Sequence, residues 1–371
     1  MAKQESRTKE PLTRRERFCR LYDFQKVDRP PRWEAVAFWG HTIREWRAAG
    51  TFPEDASPEE YFGIEPRPEV PGRLGFTAMP LAGPPVETRT VSDDGRTRVR
   101  ENDLGAVWRE RSDGGESMPQ WIKFPVESHE DWVRKIKPRL RPEDHDYGDL
   151  EEKAHLYREN EEPNGLYLVG LYAFWRNFWG EERLAYAFYD WPETLEDMAR
   201  SWLAMHCQCT PRVLEQTRVD YVFFHEDMAF KNGPLIGPNL FDRFMAPYYR
   251  ELLSHLRGYG QRRFMLDSDG NNGVVLERFI ELGVNGMFPF EVAAGYDALE
   301  FRRRHPDFVI FGGIDKRALL KTKEDVKREV MTKVPVLWES GGFIPSIDHA
   351  VPPCPQENFE YFLELVREVC S

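Results

Sequence analysis

The second half of the chain alternates between short apolar runs and amphipathic segments, and this alternation constrains the fold more than any other feature. The apolar runs cover residues 165–171, 219–224, 263–266, 284–290, 308–312 and 342–347. Such runs are typical of parallel strands that are buried on both faces and joined by right-handed helical crossovers. Together with an earlier strand predicted over residues 32–39, the pattern favours an α/β fold, a (β/α)8 TIM barrel, over an open sheet.

Amphipathic helices are predicted between these strands. A long helix follows Asp190 and reaches about Gln216, with a capping box over residues 190–193 and a kink or break near Pro211. The other predicted helices begin at residue 239 or cover 274–282, 299–304, 323–337 and 357–369. Apolar side chains three and four residues apart give each helix one face to bury.

The start of the chain is predicted to be a basic tail that leads into a helix. This segment ends near Lys26, and Phe18, Leu21 and Tyr22 have the spacing of one helix face. A second helix is predicted over residues 42–49.

A β-ribbon is predicted as an appendage to the barrel. Residues 53–85 are rich in Pro and Gly and lack periodicity, which indicates an irregular excursion. The Asp-Asp-Gly turn within residues 91–97 predicts a β-hairpin, which residues 105–110 extend. We therefore expect a single domain of 371 residues, with the N-terminal helices, first strand and ribbon in 1–160 and most of the barrel in 161–371.

Composition limits the classes of partner. The formal net charge of −12 argues against nucleic acid or an anionic membrane, and favours a small molecule or another protein. The sequence has no apolar run long enough to cross a membrane and no apolar core after its first charged residues, so we expect a cytoplasmic protein. Its five cysteines are an odd, scattered set, which indicates reduced thiols.

Titratable side chains follow five consecutive predicted strands. They are His225-Glu226-Asp227, Asp267-Ser268-Asp269, Glu291, Asp315 and Asp348-His349. Parallel strands bring their carboxyl ends to one edge of the sheet, and β/α barrels carry their active sites there. Asp267 and Asp269 are two residues apart, so an extended backbone directs both to one face. The pattern predicts an active site at this carboxyl rim.

Some of these residues also have a structural interpretation that the sequence leaves open. Asp269 can cap the following helix, since Asp is common at that position. Glu226 and Asp227 can pair with Lys231 or Arg176 in a structural network. Both interpretations remain beside the catalytic one.

Four further residues of the candidate site also have more than one interpretation or a specific functional one. His349 can order the loop that follows it, and Asp315 can form a salt-bridged helix entry with Lys316 and Arg317. Trp175 can line a cavity or pack in the core. Glu291 lies between apolar residues, where a general base or substrate clamp is the functional interpretation.

Four segments resemble a known family. They are Val-Asp-Arg-Pro-Pro at 27–31, Lys-Asn-Gly-Pro-Leu-Ile-Gly-Pro at 231–238, Gly-Gly-Ile-Asp at 312–315 and Ser-Ile-Asp-His-Ala-Val-Pro-Pro at 346–353. On these segments nearly the whole chain resembles the uroporphyrinogen decarboxylase superfamily, which includes the decarboxylase and zinc-dependent methyltransferases that work with corrinoid proteins. The resemblance implies a β/α barrel with a cleft at its carboxyl face and leaves the reaction open.

The chain departs from both branches of that superfamily. The decarboxylases carry a segment with glutamine and arginine near the amino terminus that grips the substrate carboxylates, whereas this chain has no arginine between Arg32 and Arg44. The methyltransferases usually have His-x-Cys where this chain has Asp267-Ser268-Asp269, and a further Cys where it has Asp348 or His349. These departures argue against porphyrinogen decarboxylation and against a thiolate zinc site.

Our hypothesis from the sequence is a methyltransferase or demethylase that moves a methyl group from a small substrate to a corrinoid protein. Zinc or another divalent metal would polarise the heteroatom that bears the methyl group. The predicted metal ligands are Glu226, Asp267, Asp269 and His349. The predicted catalytic residues are Glu226, Asp227, Asp267, Asp269, Glu291 and His349. The predicted substrate-binding residues are His225, Trp175, Arg176, Lys231 and Asp315.

Two alternatives stay open at this stage. One is a cofactor-free decarboxylase of a porphyrinogen or another substrate, and the other is a non-enzymatic barrel that binds a cation in a carboxylate cage. An acidic rim tolerates a cationic or neutral substrate better than an anionic one. The resemblance is also compatible with a homodimer.

Overall fold

The computed structural model of the protein describes residues 11–70, 86–112 and 119–371. The first ten residues of the predicted basic tail and residues 71–85 of the predicted irregular excursion lie outside these ranges. Within the described ranges, no helix is both long enough and apolar enough to cross a bilayer.

The predicted strands of the second half are all present, and helices separate them. The strands are β1 (Val36–Phe38), β2 (Thr88–Asp93), β3 (Thr97–Asn102), β4 (Val107–Arg111), β5 (Gln120–Lys123), β6 (Gly165–Val169), β7 (Tyr221–His225), β8 (Ala229–Phe230), β9 (Gly233–Pro234), β10 (Phe264–Asp267), β11 (Gly286–Phe290), β12 (Val309–Ile314), β13 (Phe343–Ile347) and β14 (Ala350–Val351). The α-helices are α1 (Arg14–Tyr22), α2 (Gly40–Ala48), α3 (Pro58–Phe62), α4 (His129–Asp131), α5 (Leu150–Glu159), α6 (Leu171–Trp179), α7 (Glu181–Asp190), α8 (Pro192–Gln216), α9 (Pro238–Phe244), α10 (Ala246–Gly258), α11 (Gly273–Leu282), α12 (Ala298–Arg304), α13 (Lys323–Ser340) and α14 (Gln356–Val369).

Six parallel strands form the central sheet, in the order β13-β12-β11-β10-β7-β6. Their side chains are buried on both faces, because helices cover the outer face and aromatic side chains fill the inner one. Neighbouring strands run in register, so their carboxyl ends meet at one edge. This arrangement confirms the predicted α/β fold class and collects the predicted site residues at one rim.

Earlier segments of the chain flank the two edges of this sheet. Glu69 bridges Gly165 of β6, and the Ala35 amide donates a hydrogen bond of 2.8 Å to Ser346 Oγ of β13. Strand β1 pairs with β14 instead of joining the six-stranded ladder. Among the described residues no continuous backbone ladder links the two edges, so closure into eight strands stays a prediction.

The predicted β-ribbon is a four-stranded antiparallel sheet in the order β2-β3-β4-β5. Its first turn is fixed by Asp94, whose carboxylate accepts hydrogen bonds from the amides of Arg96 (2.9 Å) and Thr97 (2.6 Å). Gly95 at the tip has a φ of +79°, which glycine adopts without steric cost. Strand β5 was not predicted, because four residues of mixed polarity carry too short a pattern.

Helix α1 packs against the central sheet at the end where the strands begin. The ring of Phe18 is fully buried, with its centroid 4.9 Å from that of Tyr221 and 5.0 Å from that of Trp33. The Tyr22 hydroxyl donates to the carbonyl oxygen of Phe264 at 3.1 Å. Both Tyr221 and Phe264 begin strands, so α1 covers the end of the sheet opposite the predicted site.

Some local helix predictions are wrong. Asp190 does not cap α8, because α7 continues through Asp190 and leaves Trp191 at the N-cap without a side-chain hydrogen bond. The helix predicted from residue 239 is divided into α9 and α10, which meet at Met245. The predicted kink or break near Pro211 does not end the helix, because α8 continues through Pro211.

The packing of α1 leads to a prediction about stability. Replacing Phe18 with alanine should lower the free energy of unfolding by about 3–5 kcal/mol, because a buried ring is lost and a cavity remains. Leu156→Ala is a suitable control, since Leu156 is 50% exposed, and it should change that free energy by less than about 1 kcal/mol. Urea unfolding followed by circular dichroism measures both. Equal, small effects would show that α1 does not belong to the core.

Candidate active site

The first interacting pair at the rim joins β7 to β10. The register places His225 opposite Asp267, and Nδ1 of His225 lies 3.1 Å from Oδ2 of Asp267. Burial alone would lower the pKa of His225, but the hydrogen bond and the charge of Asp267 outweigh it, so the pKa is raised. The buried carboxyl of Asp267 thus has the partner that its position requires.

The second pair joins the loops after β10 and β13. Nε2 of His349 lies 3.1 Å from Oδ2 of Asp269, and the imidazole stacks on the ring of Trp39, with centroids 6.4 Å apart. Burial opposes the charged imidazole, but Asp269 again outweighs it and raises the pKa of His349. Asp269 does not cap the next helix, whose N-cap residue Asn272 makes no side-chain capping bond. The rim therefore carries a second imidazole–carboxylate pair.

An ion pair and backbone hydrogen bonds connect the neighbouring loops. Lys316 Nζ lies 3.0 Å from Glu291, whose other oxygen accepts the amide of Gly270 at 2.9 Å. Asp348 accepts the amides of Ala293 at 2.7 Å and of Lys316 at 3.0 Å. Glu291 and Asp348 consequently tie the loops after β10, β11, β12 and β13 together.

Glu226 holds the start of helix α6 and faces away from these pairs. Its carboxylate is fully buried, and burial raises its pKa to about 7 although every hydrogen-bond donor acts to lower it. The donors are the Tyr249 hydroxyl and the amides of Leu171, Tyr172 and Ala173, at 3.0, 2.8 and 3.1 Å for the amides. These are amides that a helix leaves without internal partners, so Glu226 acts as a cap supplied from another strand.

The remaining predicted residues have mainly structural contacts. Arg176 donates to the carbonyl oxygen of Asp227 at 2.6 Å and to its carboxylate at 3.0 Å, which holds Asp227 at a φ of +49°. Lys231 is exposed in the turn between β8 and β9. This matches the structural alternative in which Asp227 pairs with Arg176.

Trp175 and Asp315 are also explained by packing and capping. Trp175 is fully buried between α6 and α8, and its indole NH donates to the carbonyl oxygen of Leu195 at 3.2 Å. It belongs to the core and does not line a cavity. Asp315 pairs with Arg317 and caps the short turn after β12, as in a salt-bridged helix entry.

The predicted metal quartet is not assembled in this geometry. Glu226 uses its carboxylate for α6 and Tyr249, while Asp267 and Asp269 each bind a different imidazole. Among the described residues, no group of three or more His, Cys, Asp or Glu side chains is arranged to hold a metal ion. The residues present in this arrangement therefore do not fit a zinc site.

Two residues inside the sheet were missed by the sequence analysis. Glu34 is buried against Ser346 Oγ at 2.9 Å, and burial raises its pKa to about 8. Arg67 lies over the rings of Trp33, Phe288 and Phe311. Glu34 interrupts an apolar run, which was an available signal, whereas Arg67 comes from the Pro- and Gly-rich stretch and has no periodicity around it.

The capping role of Glu226 generates a prediction about stability. Glu226→Gln should lower the free energy of unfolding by about 2–4 kcal/mol, because buried amides lose a charged acceptor. Gly170→Ala should also be strongly destabilising, since a Cβ there would lie 2.2 Å from Glu226 Cδ. Glu281→Gln, on an exposed surface, is the control for loss of a carboxylate. Thermal and urea unfolding decide: a Glu226→Gln protein as stable as the control contradicts the capping role.

Comparisons with known proteins bear on the family. Residues 192–369 match the family model described as "Uroporphyrinogen decarboxylase (URO-D)". A uroporphyrinogen decarboxylase from Hydrogenobaculum sp. (strain Y04AAS1) is 31% identical over 68 residues, which are 18% of this chain and 20% of that protein. The chain thus aligns with about a fifth of the length of this curated relative.

The fold has a counterpart among solved structures. A methyltransferase from Methanosarcina mazei superposes with a TM-score of 0.60 and 14% identity, and the superposition covers 97% of this chain and 100% of the other. At that identity the likeness concerns the fold. Over residues 192–369 the family match bears out the resemblance to the uroporphyrinogen decarboxylase superfamily that the sequence motifs indicate.

Proposed function

We propose that the chain is an enzyme that transfers a methyl group from a small molecule to a corrinoid protein, with the rim imidazoles acting as acids. The observation that carries the proposal is the presence of two imidazole–carboxylate pairs, each with an N–O separation of 3.1 Å, at the carboxyl rim. The acid role replaces the metal role predicted from the sequence, since the predicted ligands are not gathered into one group.

Proton donation to the leaving heteroatom is the chemistry that these pairs can perform. His225 or His349 donates its proton as the bond between the heteroatom and the methyl carbon breaks. Both electrons of that bond stay on the heteroatom, which binds the proton and leaves as the demethylated product. Asp267 and Asp269 raise the proton affinity of the imidazoles and orient them before the transfer.

A corrinoid protein is the proposed acceptor of the methyl group. The whole-chain likeness to a methyltransferase supports the class of reaction at the level of fold only. A corrinoid protein, bound as a partner at the rim, would supply the nucleophile that takes the methyl group. The four loops tied by Glu291 and Asp348 offer that partner an ordered edge.

A cofactor-free decarboxylase is the second candidate. The family match favours it, and acid–base pairs without an assembled metal site suit it as well. In that reaction a rim imidazole would protonate the carbon that loses carbon dioxide. A non-enzymatic carboxylate cage is less well supported, because the rim carboxylates Asp227, Asp267, Asp269 and Glu291 are already paired with cationic side chains.

Methyl transfer can be tested with a surrogate acceptor. The protein is mixed with cob(I)alamin and either a methyl ether or a tertiary methylamine, and the spectrum is followed for methylcobalamin. We expect catalysed transfer from one donor class, and a loss of about a hundredfold in rate for His225→Gln or His349→Gln. His155→Gln, at an exposed position, is the control. No catalysed transfer from either class overturns the proposal, and release of carbon dioxide from a porphyrinogen supports the second candidate.

The proton affinity of His349 can be tested without a substrate. Its pKa is raised by Asp269, so the charged imidazole should persist above the usual titration range and lose its proton only as pH rises through the raised value. Asp269→Asn removes that charge, so the titration of His349 should move to lower pH. NMR titration of the imidazole measures both proteins. An unchanged titration in the variant contradicts the assigned role of Asp269.

A further inference from the structure

The interior of the sheet below the rim contains an arginine with an incomplete set of partners. The guanidinium carbon of Arg67 lies 5.7 Å from the ring centroid of Trp33, 5.2 Å from that of Phe288 and 5.4 Å from that of Phe311. Its Nη2 donates to the carbonyl oxygen of Ala35 at 3.3 Å. Its Nη1 is buried and has no hydrogen-bond partner among the described residues.

No acidic side chain in the described part of the chain forms an ion pair with Arg67. Glu34 is the nearest interior carboxyl whose pKa responds to Arg67, but the two are not within ion-pair distance. Burial raises the pKa of Glu34 to about 8, so this carboxyl is mostly neutral near neutral pH and does not neutralise the guanidinium. A buried guanidinium NH without an acceptor is costly, and an anion that binds there would remove that cost.

Several side chains of this interior keep a small exposure to solvent. Arg67 is half-buried, Asp267 at the end of β10 is 6% exposed, and Tyr167 and Phe288 are each 7% exposed. Their neighbours on the outer face of the same strands, Leu266 and Met287, are fully buried. The charges of Asp267 and Arg67 both act on Tyr167, so this ring lies near both groups. The half-buried side chain of Arg67 is therefore within reach of solvent.

The rim carboxylates have side-chain partners, whereas Arg67 has no ion-pair partner among the described residues. The carboxylates of Asp227 and Glu291 are paired with Arg176 and Lys316, and those of Asp267 and Asp269 with the imidazoles of His225 and His349. A protonated imidazole neutralises its carboxylate, and the pairing then reduces the negative charge that an anion meets at the rim. The sequence expectation of a cationic or neutral substrate rests on unpaired rim carboxylates, and the structure pairs them.

We propose that Arg67 binds the carboxylate of the substrate, and that the substrate is a small carboxylic acid whose reacting end lies at the rim pairs. The planar guanidinium matches a carboxylate, and the surrounding rings keep it in place and exclude water. A monoanionic carboxylate fits better than a phosphate dianion, because Asp267 lies in the same interior. This inference rests on the proposed function, since it places the substrate below the same rim.

Benzoate is a simple probe of this site, and benzamide is its neutral counterpart. Binding to the full chain is followed by isothermal titration calorimetry and by tryptophan fluorescence, because Trp33 lies against Arg67. We expect benzoate to bind at least about tenfold more tightly than benzamide, and Arg67→Met to weaken benzoate binding by about tenfold or more. Arg67→Lys keeps the charge without the planar fork and should fall between the two.

Arg243→Met is the matched control. Arg243 also stacks on a phenylalanine ring, with its guanidinium carbon 4.4 Å from the Phe244 centroid, but it lies on α9, outside the sheet interior. This variant should bind benzoate within about twofold of the original protein. Equal binding of benzoate and benzamide, or undiminished benzoate binding by Arg67→Met, overturns the proposal. If Arg67→Met does not fold, Arg67→Lys with benzoate and benzamide decides in its place.

The test separates this inference from the proposed function. Arg67-dependent benzoate binding without methyl transfer overturns the reaction and retains the carboxylate site. Methyl transfer without benzoate binding retains the reaction and overturns the carboxylate site.

Discussion

The in-register pairing of β7 with β10 is the constraint on which the rest of the site depends. Backbone hydrogen bonds fix His225 opposite Asp267, and neither residue can shift along its strand without breaking the ladder. The neighbouring strands are also parallel, with one irregularity between β11 and β12, so the loops after them start from one edge. The second pair, Asp269 with His349, is an outcome of this shared edge.

The carboxylates at the rim divide into two chemical groups. Glu226 and Asp348 accept backbone amides and hold helix and loop starts in place. Asp267 and Asp269 instead face imidazoles and raise their proton affinity. The two groups differ because their side chains point in different directions. Glu226 and Asp348 face backbone amides at helix and loop starts, whereas Asp267 and Asp269 face a side chain across the rim. A carboxylate count alone therefore overstates the ligands available to a metal ion.

The interior below the rim carries a positive group, Arg67, although the chain as a whole is negatively charged. The chain has a net charge of −12, yet the rim carboxylates are paired and Arg67 lies inside on aromatic rings. Pairing reduces the local field of an acidic region, so the sign of a binding site can differ from that of the whole protein. In the site that we propose, the rim pairs form an acid–base end and Arg67 forms an anion-binding end.

The sequence by itself determined the strands, most of the helices and the edge at which the titratable residues meet. Apolar runs and helical spacing are local properties, so β6, β7 and β10 to β13 could be predicted without knowing their neighbours. Only the tertiary structure decided what each side chain does: Glu226 caps α6, Trp175 packs in the core, and Asp269 meets His349. The partner of Trp175 is 20 residues away along the chain, and the helix partner of Glu226 and the partner of Asp269 are 53 and 80 residues away. The position of a residue at a strand end also does not reveal which way its side chain turns. Arg67 was out of reach for the same reason, since only folding brings it onto the rings of Phe288 and Phe311.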